Sequence, residues 1–115
     1  MAPFKLELEK QPDSNDLLTI YHAKGKLSLE TVNEFIQTLR PQTAAHLILD
    51  MSGVTFLDSA GVGSLVSIFI SRRNQKRTFA LAGLTPQGGA VVTVAGLQNL
   101  LPIFKTVEEA RAKQS

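Results

Sequence analysis

The chain has 115 residues, a formal charge of +2, 43% hydrophobic residues and no cysteine. That length and apolar content lead to one domain, spanning 1–115, with a proper core rather than a disordered tail. The lack of cysteine excludes disulfides, thiolate metal sites and a cysteine nucleophile, and so small a charge gives no ground for direct nucleic-acid binding.

In the segment MAPFKLELEK, Phe4, Leu6 and Leu8 alternate with charged residues, as in a half-buried strand. It lacks the apolar region of a secretory signal, and the longest apolar stretch, near Leu65 to Ile70, is too short to span a bilayer. A soluble, cytoplasmic protein without membrane insertion is expected. QPDSND is turn chemistry, and Leu17 to Lys24 forms a second strand closed by Gly25, giving an antiparallel pair. Ser28 can cap a helix whose inner face is Leu29, Val32, Phe35, Ile36 and Leu39 and which Pro41 stops.

The apolar run His46 to Asp50 predicts a central strand covered on both sides. Residues 51–58, MSGVTFLD, read as a connection, and a second helix runs from Ser59 to Asn74. The basic cluster Arg72 to Arg77 reads as its solvated end, where cations offset the helix dipole. Thr78 to Ala82 is a strand ending at Gly83. Thr85 and Pro86 open a third helix, intrinsically weak because of Gly88, Gly89 and three valines, and Gly96 stops it. Leu101 to Phe104 forms a short last strand, Thr106 to Glu109 is a capping box for a final helix, and the terminal AKQS is frayed. The order is β-β-α-β-α-β-α-β-α: an α/β fold of about five strands, with a mixed sheet, a parallel core, flanking helices and the first strand as antiparallel edge.

The stretch VTFLDSAGVGSL, from Val54, carries the chemistry. Val62, Leu65, Val66 and Phe69 recur at helical spacing, so Ser59 sits at or next to a helix N-cap. Either Asp58 or Ser59 can cap the helix, which needs no chemistry beyond a hydrogen bond. Alternatively Ser59 is phosphorylated: the helix dipole tolerates the added charge, Asp58 and Asp50 repel it, and the surface changes more than the fold. Gly61 and Gly63 would keep the surface low for an incoming molecule, and Ala60, Ser64, Ser67 and Ser71 form a small-residue face that could dock a partner.

LILDMSGVTFLDSAGVGSL, Leu47 to Leu65, resembles the signature of the STAS domain, and more narrowly that of bacterial anti-sigma factor antagonists. GKLS at Gly25, FALAGLTP at Phe79, AGLQNLLPIF and VEEA extend the resemblance over nearly the whole chain. It implies partner switching without catalysis or cofactor on this chain. The antagonist binds an anti-sigma factor that is itself a serine kinase, a sigma factor is freed for transcription, ATP and magnesium serve the kinase, and a serine phosphatase reactivates the antagonist. Ser59 matches the phosphorylated serine, with Asp58 and Asp50 as supporting acids; the partner surface would comprise Asp58, Ser59, Ala60, Gly61, Gly63, Ser64, Ser67, Asp50 and Ser28. Two departures stand out: Ser28 replaces an acid after the second strand, and QGGAVV follows Pro86 in place of a better helix former. The alternative within the family is an accessory subunit of a lipid-transport ATPase or of a stress-signalling complex, where threonine is frequent at the place of Ser59.

Three other chemistries find less in the sequence. A hydrolase would need a base beside Ser59: His46 opens the strand at its far end, His22 lies on strand two, and no G-x-S-x-G elbow surrounds the serine. The Gly61–Gly63 pair is only a fragment of a phosphate-binding loop. No histidine cluster supports a metal site.

Overall fold

The computed structural model describes residues 5–114. Its elements are β1 (Leu6–Lys10), β2 (Leu18–Leu27), α1 (Val32–Leu39), β3 (His46–Leu57), α2 (Ser59–Asn74), β4 (Thr78–Ala82), α3 (Pro86–Val94), a 3-10 turn (Leu97–Asn99), β5 (Ile103–Phe104) and α4 (Val107–Gln114). The strands lie in sequence order in one sheet. β1 runs antiparallel to β2, and every later pairing is parallel, as the alternation of strands and helices predicts. Phe4, assigned to the first strand from its alternation, lies outside the described residues.

Period-two alternation divides the sheet's side chains between two faces. Tyr21, Leu47, Leu49, Phe79 and Leu81 pack on one face against Phe35 and Leu39 of α1, Leu65 and Ile68 of α2 and Val92 of α3. On the reverse face Ile20, Ile48 and Ala82 meet Ala110 of α4. Leu47, Ile48 and Leu49 are all fully buried, so the His46–Asp50 run is a strand covered on both sides, as expected. Each such side chain contributes about 1.5–3 kcal/mol of burial free energy.

Two strands are longer than the sequence indicates. Gly25 does not close β2. It sits inside the strand at φ +106°, and a Cβ there would lie 2.2 Å from the Lys5 carbonyl oxygen of the adjoining chain. The strand continues to Leu27. Likewise, residues 51–57 are not a connection but the second half of β3. The register with β2 passes from His22↔Asp50 to Lys24↔Gly53 and from Gly25↔Val54 to Lys26↔Phe56. β3 therefore holds one extra residue at each of two bulges, which absorb the turn-like Ser52 and Gly53 without ending the ladder.

The first helix begins late. Ser28 does not cap it: Thr31 holds the cap position, and the helix starts at Val32. Ser28 is buried, its hydroxyl donating to Glu30 Oε2 (2.9 Å) and its N–H to Thr31 Oγ1 (3.0 Å). Leu29 consequently lies before the helix and is 69% exposed rather than part of the inner face. The 78–82 strand and the Thr85–Pro86 helix start fall as predicted. The last strand is shorter, Ile103–Phe104, and α4 runs through Gln114, so most of the expected frayed tail is helical.

Arg72 departs from its expected place. It is 3% exposed, not part of a solvated end. Its Nε donates to the Thr78 carbonyl (2.7 Å), Nη1 to that of Gln42 (3.0 Å) and Nη2 to that of Ala44. Beyond it, Lys76 adopts φ +60°, Lys76 N–H donates to Arg73 O and Arg77 N–H to Arg72 O, so a left-handed cap ends α2 although no glycine marks the stop.

Candidate functional site

The polar pair after β3 has divided roles. Asp58 is the N-cap of α2, with extended backbone (φ −111°, ψ −175°) and Oδ1 accepting from Gly61 N–H at 2.8 Å. Its Oδ2 accepts from Leu29 N–H at 3.1 Å, so one carboxylate ties the start of α2 to the segment after β2. Ser59 is the first residue of α2 and is exposed. Among the described residues no hydrogen-bond partner engages its hydroxyl. The sequence leaves open which of the two caps the helix; the geometry assigns the cap to Asp58 and leaves the Ser59 oxygen uncommitted.

Gly61 and Gly63 also differ. Gly61 is buried: a Cβ there would lie 2.3 Å from Leu27 O and 2.7 Å from Leu57 Cδ1, so this glycine permits internal packing rather than a low outer surface. Gly63 is exposed, and a Cβ there would meet nothing within 4 Å. Ala60 is half-buried. Ser64, expected on a docking face, is buried, and its hydroxyl donates to Gly61 O at 2.6 Å. Ser67 is half-buried and accepts from Arg40 Nη2 at 3.0 Å. Of the small-residue face, Ser64 and Ser67 are thus engaged within the chain.

An apolar groove of about 360 Å³ opens beside the hydroxyl, lined by Ser59 and Val62 on α2 and by Ala90, Val91, Val94 and Ala95 on and just after α3. Val94 is 89% exposed, although nothing in the sequence distinguishes it from the buried Val92. A further residue that sequence reasoning passes over is Gln87. Leu57 N–H donates to Gln87 Oε1 and Gln87 Nε2 donates to Leu57 O, both at 2.9 Å. β4 pairs with β3 only as far as Asp50↔Ala82, so this edge of Leu57 has no neighbouring strand. The carboxamide supplies what a strand would; each buried backbone group left bare costs about 1–3 kcal/mol. The only signal in the sequence is one long polar side chain in a helix whose other residues are small or apolar apart from Thr93.

Asp50 lies elsewhere. It is seven positions before the end of β3, roughly 23 Å along an extended strand, and is not at the strand end that the sequence implies. It lines a second, polar cavity with Gln11, His22, Ser52, Lys105 and Arg111. His22 Nδ1 is 2.7 Å from Asp50 Oδ2 and Nε2 is 2.8 Å from Gln11 Oε1, so both ring nitrogens are engaged away from Ser59. His46 is likewise paired, with Thr78 Oγ1 at 2.8 Å. Neither histidine is placed as a base for Ser59. Among the described residues no group of three or more metal-ligating side chains gathers, and no helix is long and apolar enough to cross a membrane.

Burial by itself would raise Asp50, but the Ser52 N–H (3.0 Å) and the His22 ring outweigh it and hold the carboxylate below its ordinary 3.8. A carboxylate lowered on folding stabilises the fold above its ordinary value and loses that contribution as pH falls through the folded one. The stability difference between wild type and Asp50→Asn should therefore narrow as urea titrations are taken below pH 3.8. A difference constant between pH 6 and about pH 2.5 would contradict this assignment.

A family model described as STAS domain matches residues 5–110. Among solved structures, an anti-sigma factor antagonist from Mycobacterium paratuberculosis is similar over 97% of this chain and 96% of its own, at 19% identity and a TM-score of 0.86. The Bacillus cell fate determinant SpoIIAA in its phosphorylated form is similar over 95% of this chain and 100% of its own, at 17% identity and a TM-score of 0.71. A sulfate transporter family protein from Wolinella succinogenes matches 84% of each chain, at 20% identity and a TM-score of 0.74. At such identities these likenesses bear on the fold.

Proposed function

The chain belongs to the STAS domain family, and from that premise we propose that it is an anti-sigma factor antagonist, a single cytoplasmic domain that binds an anti-sigma factor serine kinase and so frees a sigma factor. Phosphorylation of Ser59 switches it off. The kinase transfers the γ-phosphoryl group of Mg-ATP to Ser59 Oγ: the new O–P bond replaces the bond to ADP, and the hydroxyl proton leaves to the kinase's base. A serine phosphatase reverses the step by hydrolysis. This chain contributes the acceptor and the docking surface, not the catalysis.

One observation carries the reading: Asp58 fills the cap, so the exposed Ser59 hydroxyl is spared for chemistry. A phosphate there adds about −1.5 to −2 charges at the positive end of α2, which the fold tolerates. The partner is affected differently. Filling the apolar groove beside Ser59 would require the partner to desolvate a dianion at the groove's lip. The proposed contact surface centres on Asp58, Ser59, Ala60 and Gly63. Ser28, Gly61, Ser64 and Ser67 shape it from within, and Asp50 lies outside it.

Incubation with the anti-sigma factor kinase and Mg-ATP should add one phosphate, located at Ser59 by fragment mass spectrometry. Ser59→Ala should stay unmodified, fold within about 0.5 kcal/mol of wild type because the cap is intact, and still bind the kinase. Ser59→Asp should bind at least about tenfold more weakly. Modification only at another residue, or none, would sink the proposal.

A second reading is an accessory subunit of a lipid-transport ATPase or of a stress-signalling complex; the likeness to a protein named for the sulfate transporter family favours a transport partner but not an ATPase or a lipid cargo. Affinity capture from the source cell, with and without phosphatase treatment, separates the two. A kinase retained only by the dephosphorylated chain supports the switch, and a permease or transport ATPase retained in both states supports the second reading.

A further inference from the structure

The second half of β3 leaves the sheet on one side at the point where the phosphoacceptor turn begins. β4 has ended at Ala82, and Leu57, two residues before Ser59, meets the carboxamide of Gln87 through both its N–H and its carbonyl. We infer that Gln87 is a positioning residue for Ser59: by clamping the Leu57 backbone it fixes α3 against the end of β3, and with it the width of the groove into which the kinase seats. The inference rests on the proposal that Ser59 is phosphorylated.

The geometry gives this side chain leverage over both walls. One wall is Ser59 and Val62, which follow directly from Leu57 through the Asp58 cap. The other wall is Ala90, Val91, Val94 and Ala95, which belong to or follow the helix that carries Gln87 in its first turn. No neighbour can take over the task. Pro86 has no N–H, Gly88 and Gly89 have no side chains, and the short Thr85 side chain caps its own helix, accepting from Gly88 N–H at 3.2 Å, and cannot both donate to and accept from the Leu57 backbone as a carboxamide does. The helix sequence is itself a poor helix former, so its placement depends on tertiary ties. Within α3 those ties include the burial of Gly88 and Val92 and the packing of Val91 on the core side, and the Gln87 carboxamide at the site side.

Gln87→Met keeps the length and volume of the side chain and removes both hydrogen bonds. With the kinase at saturating Mg-ATP, kcat/KM for Ser59 phosphorylation should fall at least about tenfold, carried mainly by KM. Amide exchange at Leu57 should accelerate about tenfold or more, while the central amides of Leu47 and Leu81 keep their protection. Ile48→Val, a small core truncation on the opposite face, serves as the stability control and should leave KM unchanged. Unchanged KM in Gln87→Met, or an equal rise in Ile48→Val at matched Tm, would overturn the inference. Should the kinase fail to modify the wild-type chain, the proposed function fails, and the exchange readout still decides the clamp: unaltered Leu57 protection in Gln87→Met overturns it.

Discussion

Gly61→Ala is expected to lower the unfolding free energy by about 2–3 kcal/mol, the upper range for overpacking, although alanine is the better helix former by up to about 1 kcal/mol. The added methyl would lie 2.3 Å from Leu27 O and 2.7 Å from Leu57 Cδ1. The leucine side chain can turn aside. The carbonyl cannot, because it belongs to the last residue of β2, paired with Leu57. The N-terminus of α2 must therefore lift from the strand end. Gly63→Ala, two residues on, meets nothing within 4 Å and should be neutral or gain up to about 1 kcal/mol from helix propensity. Urea denaturation of the two variants side by side checks both. Equal stabilities would mean that the packing of α2 on β2 is loose at this point. Lifting α2 also moves Ser59, so Gly61→Ala should reduce phosphorylation even at temperatures where the variant is folded.

The two glycines also show how much the sequence holds. Features decided within one turn of chain were legible: the start of α2 after Asp58, the Thr85–Pro86 entry of α3 and the Thr106 cap of α4. Each cap finds its partner three residues on; the five residues of β4 are legible from their apolar run alone, although their partners in β3 lie 32 positions back. Features decided by pairing were not. Gly25 and the Ser52–Gly53 pair have turn composition, yet β2 and β3 run through them, because a bulge is a property of two strands in register and neither strand's residues announce it. The misplacement of Asp50 follows from the same cause, since ending β3 there put the acid next to Ser59. Spacing along a helix does not say which neighbour stands opposite, so it suggests an outward Gly61 and a solvated Arg72 where both are buried. Ser28 looked like a cap by type but is held by Glu30 and Thr31. Gln87 left almost no trace, since its partner is a backbone 30 residues away.

Arg72 is the position where a charged side chain should matter most for stability and least for the proposed switch. Its guanidinium joins two chain segments by donating to three carbonyls: those of Gln42 and Ala44 in the loop between α1 and β3, and that of Thr78, the first residue of β4. Among the described residues no carboxylate pairs with it. Burial, helped by the nearby Arg77 charge, pushes it down to about 10, so it remains charged at neutral pH and its hydrogen bonds are charge-assisted. Removing it leaves carbonyls short of donors at about 1–3 kcal/mol each, of which water entering at the strand ends recovers a part. Arg72→Met should therefore cost about 3 kcal/mol, a fall in Tm of roughly 12 °C or more for a domain near this size. Arg72→Lys should restore less than half of it, because an ammonium cannot present a planar fork to three separated acceptors. Arg73→Ala, one residue on and exposed, should stay within about 0.5 kcal/mol of wild type. An Arg72→Met variant as stable as wild type would show that solvent satisfies those carbonyls without the side chain. Arg72 lies thirteen positions along α2 from Ser59, roughly 20 Å. Below its melting range, Arg72→Met should accept phosphate at the wild-type rate, whereas the variants at Gly61 and Gln87 should not.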